Sequence, residues 1–485
     1  MNFIKNKLRK FMEVWIIPLL CCVGIFSCNE QSANNKKSNT KKNILFIIVD
    51  DLRPELGCYG VSQIQTPNID KLAEEGQLFE RAYCQMAVCA ASRASMFTGA
   101  YPTKNRFLNS QSWIDQEMPE SINMFKHFKN NGYYTASFGK VIHHSEDQRN
   151  SWSKLYIRPP RGSYNWRGYA DKNNIKTAIE NINYSLGPAY ERANVSDTAY
   201  YDGIMTQAVL AELKRVSTRN DPFCIAVGYI KPHLPFNAPE KYWSLYDSTQ
   251  FDLPPTYYPN ESIPKEALHN WGELRTYTNI PTEGRLSDEL AKTLIHGYYA
   301  CTSYIDTQIG YIINELKRLD LYENTIIILL GDHGWNLGDH GLWSKGCLFE
   351  SSLHTPLIMK IPRYENGIRI KPIIPLVDIY PTLCELLSLP VPHLVEGNSF
   401  LDKIKNPSMD RNYAYSRYSG RNAQSLATDR YLYSRYLDQD NKVIANMLFD
   451  HAIDPNEINN LNNSIEYKNL IDSFESVLDN NEFYK

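Results

Sequence analysis

Asn43-Ile44-Leu45-Phe46-Ile47-Ile48-Val49 is an unbroken apolar run, rich in β-branched residues, that stops at Asp50-Asp51. A strand with apolar side chains in both directions has no face to show to water, so it belongs inside a parallel sheet covered on both sides. Residues 223–229 and 325–330 repeat the pattern. The first leads into Lys231-Pro232-His233 and the second into Gly331-Asp332-His333. Residues 133–138 are a further strand candidate, leading into Gly139-Lys140. Helical patterns lie between these strands, at 66–76, 121–131, 198–216 and 287–319, with 376–387 helical in spite of Pro381. Strands alternating with long helices predict an α/β fold, a large mostly parallel sheet sandwiched by helices. Ligands of such sheets bind beyond the carboxyl ends of the strands. Three strands here deliver Asp50-Asp51, His233 and Asp332-His333 to that edge. After about Leu401, Tyr-rich alternating runs such as Tyr413-Ala414-Tyr415 and Tyr431-Leu432-Tyr433 predict a smaller C-terminal subdomain with a short antiparallel sheet. The expected division is a catalytic domain over 43–402 and a C-terminal subdomain over 403–485.

Of the 485 residues, 43% are hydrophobic, 12% aromatic and 22% charged. That is too apolar and aromatic for a disordered chain and too charged for a membrane bundle. A net charge of −3 offers none of the basic surplus that a nucleic-acid partner requires. Lys5, Lys7, Arg9 and Lys10 precede thirteen uncharged residues, 14–26. That fits the core of a signal peptide, whereas a bilayer span needs about 20. Residues 1–27 are thus expected to be removed. The segment ends in Ile25-Phe26-Ser27-Cys28, and a small residue before Cys at that point resembles the lipobox of bacterial lipoproteins, whose Cys is acylated. Cys28 is the expected lipid anchor, followed by a polar linker over 29–42. The implied protein is exported and membrane-anchored, facing the periplasm or the cell surface. The ten cysteines show no spacing of a disulfide scaffold or a CxxC zinc site.

Two adjacent carboxylates after a buried strand must meet a cation or raise a pKa. Asp332-His333 repeats the arrangement, so the two pairs could share a divalent ion. Oxygen ligands favour Ca²⁺ or Mg²⁺, while an imidazole is more usual for zinc or iron.

Cys89-Ala90-Ala91-Ser92-Arg93, with Thr98-Gly99 downstream, resembles the signature of type I sulfatases, Cys-x-Pro-Ser-Arg followed by Thr-Gly. In that family the Cys is oxidised after translation to formylglycine, whose hydrate attacks sulfur. The chemistry explains the modification: a serine or cysteine nucleophile would be left as a stable sulfated adduct, whereas a geminal diol can expel sulfate with its second hydroxyl. Ala91 stands where the common signature has Pro, a variant associated with the anaerobic radical type of formylglycine-generating maturase. The resemblance covers most of 43–400 and is closest to the iduronate-2-sulfatase subfamily. It rests on Val49-Asp50-Asp51-Leu52-Arg53, on Gly139-Lys140-Val141-Ile142-His143, on the run from Val227 to Phe236, and on the run from Asp332 to Gly341 followed by Lys345.

The resemblance implies that Asp50, Asp51, Asp332, His333 and the modified Cys89 hold one Ca²⁺. It implies that Arg93 holds the diol and that Lys140 and Lys345 clamp the sulfate. His143 resembles the base acting on the second hydroxyl, and His233 the acid at the departing sugar oxygen. Trp335, with Lys345 and His233, is a candidate for substrate binding. The implied substrate is a sulfated polysaccharide or its oligosaccharides, a glycosaminoglycan or an ulvan-type algal polymer. Specificity is expected in 145–195, 236–285 and the C-terminal subdomain. Within the first, Tyr156-Ile157-Arg158 and Tyr164-Asn165-Trp166-Arg167 could meet an anionic sugar. The alternatives are a formylglycine-dependent phosphodiester or phosphonate monoester hydrolase and an inactive glycan-binding lipoprotein.

Overall fold

The computed structural model describes residues 41–156, 168–181, 186–407 and 413–481. The expected signal peptide, the Cys28 anchor and nearly all of the polar linker lie outside the described residues. So do Ile157, Arg158 and the run from Tyr164 to Arg167.

The main sheet has nine strands: β1 (Asn43–Val49), β2 (Gln77–Tyr83), β3 (Tyr134–Gly139), β4 (Lys154–Tyr156), β5 (Phe223–Tyr229), β6 (Thr325–Gly331), β7 (His354–Lys360), β8 (Ile368–Ile370) and β9 (Ile374–Pro375). Their order is β8-β2-β7-β6-β1-β5-β3-β4, with β9 also on β2. Every pairing is parallel except those of β7, which runs antiparallel to both β2 and β6. All seven residues of β1, β5 and β6 are buried. Burial on both faces requires covering layers on both sides, which is what the continuous apolar runs predict.

The helices that matter here are α1 (Pro67–Glu74), α2 (Cys89–Thr98), α3 (Met124–Asn130), α4 (Tyr201–Val216), α5 (Asp288–Arg318) and α6 (Ile379–Leu386). Pro67 opens α1 where a missing N–H costs nothing. The Asn123 side chain caps α3 by accepting from the N–H groups of Phe125 and Lys126. Ser287 caps the long α5 at Leu290, and Lys317 and Arg318 sit in its last turn. Each cap ends its helix close to the point expected from sequence.

Register decides which loops meet. Val49 lies level with Gly331 on one side and Tyr229 on the other. Gly139 lies level with Gly228. The segments beginning at Asp50, Asp332, Ile230 and Lys140 therefore leave the sheet along one edge. The close approach at that edge uses glycine: a Cβ on Gly228 would lie 2.1 Å from the Lys140 backbone.

The C-terminal region forms a four-stranded antiparallel sheet, Ala414–Tyr418, Ala423–Ala427, Tyr431–Leu437 and Val443–Asp450, followed by α7 (Lys468–Asn480). Its alternation sorts the faces. Leu426, Tyr433 and Leu448 meet Ile471, Phe474 and Leu478 of α7, while Leu432, Met447 and Phe449 join the main core. The chain reaches this sheet through the helical turn Leu401–Lys405.

Candidate active site

Asp51 has a left-handed backbone, φ 61°, which is strained for a residue with a Cβ. The structure holds it there from three sides. The Tyr298 hydroxyl donates to the Asp51 carbonyl at 2.9 Å and accepts from Arg53 N–H at 3.0 Å. The Asp51 N–H donates to Asp332 Oδ1 at 3.1 Å. This twist sends the carboxylates of Asp50 and Asp51 to different partners.

Asp50 faces two cations. Arg93, 1% exposed, donates from Nη2 to Asp50 Oδ1 at 3.0 Å and from Nε to Asp332 Oδ2 at 2.8 Å. Its Nη1 donates to the carbonyls of Lys140 and Val141, so the whole fork is used. Lys140 Nζ completes the pairing on Asp50 Oδ2. Against burial, which pushes it up, Lys140 and Arg93 hold the Asp50 carboxyl well below the usual range. Asp51 is different. Lys345 Nζ lies 3.0 Å from Oδ1, yet burial together with the Asp50 charge outweighs Lys345 and His233 and pushes Asp51 up.

Cys89 is the first residue of α2, a helix whose N-cap residue, Val88, contributes no side-chain hydrogen bond. The helix start thus offers free N–H groups and its positive dipole end to an anion. Cys89 Sγ lies 3.2 Å from His333 Nε2. Burial, with the Asp50 charge behind it, pushes the thiol well up, so an unmodified Cys89 stays protonated and is a poor nucleophile. His333 Nδ1 is 2.8 Å from the Gly334 carbonyl. A carbonyl only accepts, so Nδ1 carries a proton and Nε2 is the ring nitrogen turned inward. Ligand atoms of Asp51, Cys89 and His333 lie within 4.8 Å of one another, as do those of Asp50, Cys89 and Asp332. Three carboxylates and one imidazole, all buried, suit a hard divalent cation.

The remaining expected residues stand around this cluster. His143 is held neutral, pushed down to about 2 by burial and by the Lys140 charge, and its Nδ1 is buried without a hydrogen-bond partner. His233 donates from Nδ1 to the Leu234 carbonyl at 2.7 Å and turns Nε2 toward Asp51 Oδ2 at 3.8 Å.

The family pattern described as Sulfatase matches residues 42–389. The chain belongs to the sulfatase family. A second pattern, the C-terminal region of N-sulphoglucosamine sulphohydrolase, matches 338–483. Iduronate 2-sulfatase of Mus musculus is 32% identical over 400 residues, covering 75% of this chain and 72% of its own. An ulvan-active sulfatase of Formosa agariphila is 27% identical over 509 residues, covering 99% of this chain and 90% of its own. Among solved structures, a protein in complex with its substrate D-glucosamine-2-N,6-O-disulfate superposes with a TM-score of 0.71 at 22% identity, over 90% of this chain and 97% of its own. The sulfatase is thus a sulfuric ester hydrolase, with iduronate 2-sulfatases among its similar relatives.

One expectation for the sulfatase needs correction. Trp335, a candidate for substrate binding, is 1% exposed, and a ring that stacks on a sugar needs an open face. Its ring instead lies under the Lys345 ammonium at 4.8 Å, where it supports that cation. Three features were not foreseen. Tyr298, in the middle of α5, props the Asp51 turn. Cys89 opens a helix that is buried along its whole length, so it has no amphipathic period to read. Glu273, in the irregular segment 236–285, places Oε1 3.0 Å from His233 Nε2 and Oε2 2.9 Å from Lys345 Nζ. No local pattern around Glu273 marks it; its only sequence signal is an acid inside a segment expected to set specificity. Among the described residues the cysteines, including Cys58, Cys84, Cys224, Cys301, Cys347 and Cys384, are free thiols.

Proposed function

We propose that this sulfatase is an exported lipoprotein that hydrolyses sulfate esters of a sulfated polysaccharide or its oligosaccharides, using formylglycine at position 89 and one Ca²⁺. What carries the reading is Cys89, set at the start of α2 among Asp50, Asp51, Asp332 and His333, with Arg93 pairing Asp50 and Asp332. Cys89 Sγ marks the place of the reacting oxygen. When bound, Ca²⁺ at Asp50, Asp51, Asp332 and His333 supplies polarisation of the sulfate oxygens, and the formylglycine hydrate supplies an attacking hydroxyl and a second one for release. Arg93 fixes the Asp50 and Asp332 carboxylates beside position 89. Lys140 and Lys345 meet the sulfate oxygens that gain charge as the S–O bond breaks. His143, neutral and with a free ring nitrogen, accepts the proton of the second hydroxyl, and His233 delivers one to the departing sugar oxygen.

The similarity to an iduronate 2-sulfatase and to an ulvan-active sulfatase supports a uronate-containing glycan, a glycosaminoglycan or an ulvan-type polymer. The basic start, uncharged core and Ser27-Cys28 ending of the N-terminus support export and anchoring through Cys28, facing the periplasm or the cell surface. Ala91 supports maturation by an anaerobic radical maturase. The catalytic domain then spans 43–402 and the C-terminal subdomain 403–485.

Mass spectrometry of the tryptic peptide from Ala82 to Arg93 of native-host protein tests the nucleophile. Formylglycine at position 89 is expected, and a peptide carrying only the thiol overturns the mechanism. Release of inorganic sulfate from a defined glycan panel, run beside phosphodiesters and phosphonate monoesters, tests the reaction. Faster turnover of the phosphorus esters would replace the sulfate-ester reading.

A further inference from the structure

Glu273 stands at the start of the short 3₁₀ turn Leu274–Thr276, and its position is fixed. The guanidinium of Arg275 donates to the carbonyls of Asn270, Pro281 and Gly284 at 2.8, 2.6 and 2.6 Å. It also lies 4.0 Å over the ring of Trp271. Trp271 is buried, with a left-handed φ of 55°, and its N–H donates to His269 Nδ1 at 3.1 Å. An acid on a free loop gains little from an ion pair, because ordering the side chain offsets the attraction. On this braced turn that ordering is largely supplied by the fold.

The two oxygens of Glu273 have different partners, and both partners belong to the reaction. Oε1 meets Nε2 of His233, whose Nδ1 is already tied to the Leu234 carbonyl, so the ring is held at both ends. Oε2 meets Lys345 Nζ, which is pulled the other way by Asp51 and rests on Trp335. We infer that Glu273 is a positioning residue: its single carboxylate sets the spacing between the leaving-group histidine and the sulfate-clamping lysine. It thereby ties the specificity segment 236–285 to bond breaking. This inference rests on the sulfatase roles proposed above for His233 and Lys345.

Two opposite consequences follow. The Glu273 carboxylate competes with a bound anion for Lys345, so neutralising it strengthens ground-state binding of sulfate. The same change releases the His233 ring, which slows only those esters whose leaving oxygen needs a proton as the bond breaks. A residue that merely supported the loop would produce neither pattern.

The test compares Glu273→Gln with the wild-type full chain, at matched formylglycine content and with melting curves to show that both fold. Turnover is measured on a sugar sulfate, which has a poor leaving group, and on p-nitrophenyl sulfate, which has a good one. Calorimetry then measures the affinity for inorganic sulfate. The expected result is a loss of kcat of roughly 10²-fold on the sugar sulfate against less than about 3-fold on the aryl sulfate. Inorganic sulfate should bind about 3-fold or more tightly. Glu273→Asp, which keeps the charge but cannot span both partners, should retain the wild-type sulfate affinity and show the same split in kcat. Equal losses on the two esters, or an unchanged sulfate affinity in Glu273→Gln, would overturn the inference. A wild-type protein inactive on both esters would instead overturn the sulfatase roles, and the sulfate affinities would still decide the place of Glu273.

Discussion

Among the described residues two clusters of carboxylates and imidazoles come close enough to share an ion, one wholly buried at the sheet edge and one partly buried, and proximity alone does not tell them apart. Ligand atoms of Glu350, His451 and Glu457 also lie within 4.8 Å of one another. The second cluster, however, supplies its own counter-charge. Glu350 accepts from the Tyr83 hydroxyl at 2.9 Å and pairs with His354 at 3.1 Å, and Glu457 pairs with His451 at 3.1 Å. Against burial, hydrogen bonding from His354 and its charge hold the Glu350 carboxyl down at about 2. Also against burial, Glu457 and Glu350 push His451 up to about 9. At the sheet edge Asp51 is instead pushed up, because its full burial outweighs the Lys345 and His233 charges, and the inward nitrogen of His333 faces the Cys89 thiol. The difference is that the second cluster pairs acid with imidazole within itself, whereas the sheet-edge cluster brings three buried acids together around the Cys89 thiol.

The hardest break of this comparison is at the nucleophile. Cys89→Ala should lower sulfate release by on the order of 10⁵-fold or more, with little change in melting temperature; residual turnover within tenfold of wild type would refute the role of position 89. Arg93→Met should act on stability as well, because it leaves Asp50 and Asp332 buried without their fork. A loss of about 3–5 kcal/mol in chemical denaturation is expected, and a loss below about 1 kcal/mol would show that other groups neutralise the pair.

Removing divalent ions sharpens the contrast. Chelation should abolish activity and lower stability by about 3 kcal/mol for a site held near 100-fold saturation. Glu457→Gln should leave that response unchanged, since the acids of its cluster are paired with His451 and His354. A chelator effect that disappears in Glu457→Gln would reverse the assignment of the two clusters.

The smallest effect is a pH dependence. His451 has a folded value of about 9, above its ordinary value near 6.5. Its contribution is therefore complete below about pH 6.5 and is lost as pH rises toward 9. Wild-type stability should fall across that window by on the order of 2 kcal/mol, and His451→Gln should flatten the slope. Equal slopes in the two proteins would show that His451 is not held charged.

What could be read before folding follows from locality. The strands β1, β5 and β6 announce themselves because burial on both faces demands an uninterrupted apolar run. The residues that end them were legible for the same reason, since charge placed directly after such a run must have a partner. The strand β7 was not, because Pro356 and His354 interrupt its pattern and its antiparallel pairing depends on neighbours far along the chain. Nor was α2, buried on every side and therefore without amphipathic period.

The sequence by itself determined the α/β class, the sulfatase frame around Cys89 and the chemical types that gather at the strand ends. Only the tertiary structure decided which of those groups face one another. It placed Arg93 between Asp50 and Asp332, set Trp335, a candidate for substrate binding, as a floor beneath Lys345, and brought Glu273 against His233 and Lys345. The physical reason is range: backbone propensity and hydrophobic pattern act over neighbouring residues, whereas burial and charge pairing act between side chains that only the folded register brings within a few ångströms.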